Sequence, residues 1–128
     1  MAYRLEFTDD AKGDLRSVKS PRARALIRRG LGRLEREGPC IGLRLRGDGP
    51  ARFCRVGVPE HATNTWRIVY QWPPAPGDPE DVIWVWVVRE HTDEPETDVY
   101  LWLDIVLRRK GLAVEPWSAS EPRRPCCD

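Results

Sequence analysis

Residues 82–88 read Val-Ile-Trp-Val-Trp-Val-Val, seven apolar side chains in succession, five of them β-branched. β-Branched and aromatic residues favour the pleated backbone, and a strand that is apolar at every position has to be covered on both faces. The segment therefore predicts an interior strand with packing above and below it. Upstream, residues 65–72 and 52–58 are two further strand candidates, joined to residues 82–88 by the Pro/Gly/Asp-rich stretch 73–81. Gly47-Asp48-Gly49-Pro50 is a turn signal, and before it Leu43 and Leu45 alternate with Arg44 and Arg46. Short connections between successive strands favour antiparallel neighbours.

The N-terminal third has a different rhythm. Tyr3, Leu5 and Phe7 alternate with Arg4 and Glu6, which is the period of a strand. Thr8 then offers a helix N-cap, with Asp9 and Asp10 well placed in the first turn, and Ala11, Leu15 and Val18 recur at helical spacing to about Lys19. Ser20-Pro21 restarts a helix, with serine as the cap and proline at the first position. Ala23, Ile27, Leu31 and Leu34 form its apolar stripe until Gly38-Pro39 stops it. Thr97 is placed to cap a last helix running to about Lys110. Its apolar residues nearly encircle it, which demands burial on more than one side, and a strand over residues 100–107 is the alternative. The expected fold class is α+β: an N-terminal strand and two-helix hairpin packed on a small, mainly antiparallel sheet, with a C-terminal helix. One domain over residues 1–112 is expected, with residues 113–128 as a flexible tail.

A chain of 128 residues, 41% hydrophobic and 32% charged, suits one soluble domain with its own core. No apolar run approaches the ~18 residues that span a bilayer. The opening MAYRLEFTDD carries acids and no secretory core, so the cytoplasm is the expected compartment and no membrane is expected as partner. The spacings of Cys40, Cys54, Cys126 and Cys127 match no zinc pattern, and free reduced thiols are expected, the last two in an exposed tail.

The net charge of +1 conceals an asymmetry. Residues 12–55 carry 13 basic and 4 acidic side chains, whereas residues 78–104 carry 9 acidic and 1 basic. Of the 21 basic residues 18 are arginine, whose planar fork grips phosphate oxygens in pairs. The same bias arises from a GC-rich genome, and a basic half is either a polyanion-binding surface or a solvated helix face. No Gly-rich phosphate loop, paired-carboxylate signature or Ser/His/Asp arrangement stands out.

Six segments follow one another in a set order: Tyr3-Arg4-Leu5-Glu6-Phe7, then Leu34-Glu35-Arg36-Glu37-Gly38, then Arg52-Phe53-Cys54-Arg55-Val56-Gly57. Trp66-Arg67-Ile68-Val69-Tyr70, Val88-Arg89 and Asp98-Val99-Tyr100 complete the pattern, which spans roughly residues 2–105. Together they resemble the RelE/ParE superfamily of toxin–antitoxin toxins. Two segments depart from it: a longer link at residues 58–65, and the acidic insert 91–97. The resemblance implies ribosome-dependent cleavage of messenger RNA with no metal or other cofactor, the substrate's own 2′-hydroxyl attacking phosphorus. It implies Arg67 and Arg89 as a phosphate clamp, with Tyr100 stacking on a base or assisting proton transfer. His91, two residues after Arg89 and on the same face of an extended chain, is a candidate acid or base. Arg44, Arg46 and Arg55 are candidate RNA contacts. The implied partners are a cognate antitoxin, forming a toxin–antitoxin hetero-oligomer, and messenger RNA on the ribosome. A ParE-like inhibitor that binds DNA gyrase and a non-toxic binding module on the same fold are the alternatives.

Overall fold

The computed structural model describes residues 3–46, 53–60, 63–72, 77–91, 99–111 and 125–127. Strand β1 (Arg4–Phe7) leads into helix α1 (Asp9–Ser17) and helix α2 (Pro21–Glu37). A 3-10 turn at Pro39–Ile41 precedes strands β2 (Leu43–Arg46), β3 (Phe53–Glu60), β4 (Thr63–Gln71) and β5 (Val82–Glu90), and helix α3 (Val99–Arg109) follows.

The caps do what their residue types allow. Thr8 Oγ1 accepts the Ala11 N–H at 3.1 Å and donates to the Trp86 carbonyl at 3.0 Å, so one hydroxyl both starts α1 and ties it to β5. Ser20 Oγ accepts the Ala23 N–H at 3.2 Å. Gly38 ends α2 at φ 89°, a left-handed conformation that excludes a bulkier residue without strain.

The five strands form one sheet in the order β1-β5-β4-β3-β2. β2, β3, β4 and β5 are antiparallel neighbours, and β1 lies parallel to β5. The fold is therefore α+β, as expected. The apolar segment 82–88 lies inside β5, flanked by β1 and β4 and covered on both faces, which accounts for its lack of alternation. On one face, Ala11, Ile27 and Leu34 of the hairpin pack with Val56, Ile68, Ile83 and Val85. On the other, Val99, Leu103, Val106 and Leu107 of α3 pack with Phe53, Val69 and Val87. Each fully buried Val or Leu contributes about 1.5–3 kcal/mol.

Residues 100–107 are helical, so the strand alternative does not hold. Nor is α3 enclosed all round: Leu101 and Ile105 remain 39% and 44% exposed. The cysteines correct the expectation of free thiols. Cys40 is bonded to Cys127 and Cys54 to Cys126. Residues 125–127 accordingly lie against the sheet: Pro125 pairs with Leu43, and the Cys126 N–H donates to the Gly42 carbonyl at 3.0 Å. Periodicity and spacing carry no information about such pairings, which depend on which segments meet in space. No helix among the described residues is long and apolar enough to cross a membrane.

Candidate functional site

Strand register decides which arginines meet. Side chains alternate across a strand, so Arg55 on β3, Arg67 on β4 and Arg89 on β5 all stand on the face that α3 covers. Arg67 sits directly opposite Arg89 on one side and Gly57 on the other, while Arg55 is opposite Val69, one row away. Like charges directly opposite one another disfavour a sheet, so this ladder is held against its own repulsion.

Asp14 supplies part of the compensation. It projects from α1 and is almost wholly buried. Its Oδ2 accepts the Val88 backbone N–H at 2.9 Å and the Trp102 indole N–H at 3.2 Å, and its Oδ1 accepts Arg89 Nε at 3.1 Å. Burial pushes its carboxyl above the ordinary carboxylate value, against the opposing pull of the Val88 N–H and Arg89. Arg89 also stacks on the Trp102 ring, its Cζ 3.9 Å from the centroid. Nε is thus committed to Asp14, while the side chain as a whole remains 36% exposed.

His91 follows Arg89 beyond the end of β5 and lies half-buried, its ring 5.2 Å from that of Tyr100 and tilted at 58°. An imidazole and a phenol therefore sit at the end of the arginine ladder. Next to Arg89, a shallow pocket of about 280 Å³ opens between α1 and β5, lined in part by Asp14, Ser17, Trp66 and Glu90.

The seven anticipated residues divide unequally. Arg55, Arg67, Arg89, His91 and Tyr100 gather around one face and one end of the sheet. Arg67 is only 6% exposed, and its Nη1 donates to the Trp66 carbonyl at 3.2 Å, so its guanidinium lies beneath the surface. Arg44 is opposite Cys54, which packs on the hairpin face, and is itself buried, so it does not join the group. The side chain of Arg46 lies outside the described residues. Asp14 and Trp102 were not anticipated. Asp14 did leave a sign, being a carboxylate at helical spacing between Ala11 and Val18 on an apolar stripe.

No family model matches this chain, and no curated protein matches it. Among solved structures it is similar to a chain of the toxin–antitoxin complex RelBE2 from Mycobacterium tuberculosis. The two are 25% identical, the match covers 71% of this chain and 100% of that one, and the TM-score is 0.48.

Proposed function

We propose that this chain is the toxin of a toxin–antitoxin module of the RelE/ParE type, and that it arrests growth by cutting messenger RNA on the ribosome without a metal. The observation that carries this reading is the placement of Arg55, Arg67 and Arg89 on one sheet face, with the His91–Tyr100 ring pair at its end. Cleavage by the RNA's own 2′-hydroxyl needs positive charge where the pentacoordinate phosphorus gathers negative charge, and groups that move protons on either side. The Arg89 fork, oriented by Asp14 and Trp102, supplies the first, with Arg55 and Arg67 adding to the local field. His91 and Tyr100 supply proton transfer or a base-stacking platform.

The outer surface of the hairpin fits the same substrate. Arg22, Arg28, Arg29, Arg33 and Arg36 of α2 are all exposed, a stripe suited to the phosphate backbone of ribosomal RNA. For the antitoxin, an acidic segment with apolar residues at helical spacing matches the outer face of α3, where exposed Leu101 and Ile105 precede Arg108, Arg109 and Lys110.

The deep burial of Arg67 favours a second reading, ParE-like inhibition of DNA gyrase by binding, which needs no catalytic set. Induction of the chain in a bacterium, with growth recorded and new messenger-RNA 5′ ends mapped, separates the two. Cuts within translated codons that disappear in an Arg67→Ala/Arg89→Ala variant support the nuclease. Growth arrest without cuts moves the assignment to gyrase, and unimpaired growth with folded protein present rejects both.

A further inference from the structure

The four cysteines come from three separate regions: the 3-10 turn after α2, strand β3, and residues 126 and 127. They form two disulfides of unequal access. Cys54 and Cys126 are fully buried, whereas Cys40 is exposed and Cys127 half-buried. One bond fastens the short segment 125–127 to the 3-10 turn before β2 and the other to β3, the neighbour of β2, which is an edge strand. That segment adds two backbone ties, the Leu43–Pro125 bridge and the hydrogen bond from Cys126 to Gly42. An edge strand presents unpaired backbone groups, and here residues 125–127 cover part of them.

We propose that Cys40, Cys54, Cys126 and Cys127 form a two-step thiol–disulfide modification site whose co-substrate is a small thiol, and whose full reduction frees residues 125–127 from the β2 edge. A thiolate attacks Cys40 Sγ, a mixed disulfide forms there, and Cys127 leaves as a thiolate that takes a proton from water. A second thiolate attacks the small-thiol sulfur of the mixed disulfide, releasing Cys40 and the oxidised small thiol. Two thiols are oxidised to one disulfide, and one protein disulfide is reduced to two thiols. The inner pair follows by the same chemistry. It reacts later because its sulfurs are shielded until the segment loosens, and exchange requires direct access to sulfur. The site is independent of the toxin reading.

The test forms both bonds with oxidised glutathione, exposes the whole chain to excess reduced glutathione, alkylates free thiols with N-ethylmaleimide in samples withdrawn over time, and locates the label by mass spectrometry. Hydrogen exchange is read at residues 43–46. Cys40 and Cys127 are expected to label at least about tenfold faster than Cys54 and Cys126. Exchange at residues 43–46 is expected to rise about tenfold or more, and only after the second pair opens. A Cys40→Ser/Cys127→Ser variant, altered only at the accessible pair, is expected to keep β2 protected until the inner pair is reduced. Oxidised glutathione failing to form both bonds, simultaneous labelling of all four cysteines, or unchanged exchange after full reduction would each overturn the proposal.

Discussion

Asp14 Oδ1 accepts Arg89 Nε at 3.1 Å across 75 residues of sequence, and the same carboxylate takes the Val88 N–H and the Trp102 indole N–H on its other oxygen. All three partners are donors. Asparagine is almost the same shape but would turn an NH₂ toward donors wherever its amide nitrogen points. Asp14→Asn is therefore expected to destabilise the fold by about 2–3 kcal/mol, a figure reduced for the partial solvent exposure of Arg89. Urea denaturation checks this. A change below about 0.5 kcal/mol, the range of an ordinary surface substitution, would show that the three bonds hold nothing in place.

The same carboxyl makes a pH prediction. Its folded-state value is raised above the ordinary 3.8, with burial the main cause. The folded protein thus holds this proton to higher pH than the unfolded chain does. The associated stabilisation is present below the unfolded value and is lost as pH rises through the folded one. The margin of the natural chain over Asp14→Asn should therefore be larger near the bottom of this window than at neutral pH. Denaturation series for both proteins on either side of the window measure it, and a margin that grows with pH would contradict the raised value.

Arg89 is tied to both the scaffold and the proposed chemistry, so two substitutions separate its roles. Removing one preorganised charged donor from a phosphate-transfer site costs about 10²–10³ in rate. Arg89→Ala is expected to lose messenger-RNA cleavage by that order. Arg89→Lys keeps the charge but lacks the planar fork that addresses Asp14 and a phosphate together, and should recover only part of the activity. Cleavage in a reconstituted translation reaction gives the rates, and full activity in Arg89→Lys would limit the residue to a general electrostatic role.

Gly42 sits where the 3-10 turn enters β2. A Cβ there would lie 2.6 Å from the Arg55 carbonyl oxygen and would run into the Tyr70 hydroxyl. Tyr70 is fully buried, donates to the Pro39 carbonyl at 2.5 Å, and has its hydroxyl pKa pushed well up by burial. Neither the backbone oxygen nor the confined phenol can yield cheaply. Gly42→Ala should therefore destabilise by about 1–3 kcal/mol, as overpacking does in a close-packed interior. A thermal melt decides it, and an unchanged midpoint would mean that the corner relaxes freely.

Much of the architecture was legible because it follows from local rules. Thr8, Ser20 and Gly38 bound the helices through bonds and angles within a few residues of themselves, and the unbroken apolar run in β5 could only be an interior strand. The end of the last helix was equally readable, whereas Thr97, expected from the sequence to cap it, lies outside the described residues. The gathering of Arg89, His91 and Tyr100 was anticipated from resemblance and from the two-residue spacing within an extended chain.

What the sequence determined by itself was the order and type of the elements, since periodicity, capping and turn chemistry act between near neighbours. Tertiary structure alone decided which of them touch. Arg44 and Arg55 look equivalent in sequence, yet register sets Arg44 opposite Cys54 and Arg55 opposite Leu43, and so sends them to opposite faces. Asp14 met Arg89 and Trp102 across 75 and 88 residues, and the cysteines paired across 72 and 87. Such contacts form only once α1, β5 and α3 have packed and residues 125–127 have reached the β2 edge, because burial and strand register belong to the assembled sheet and to no single segment of the chain.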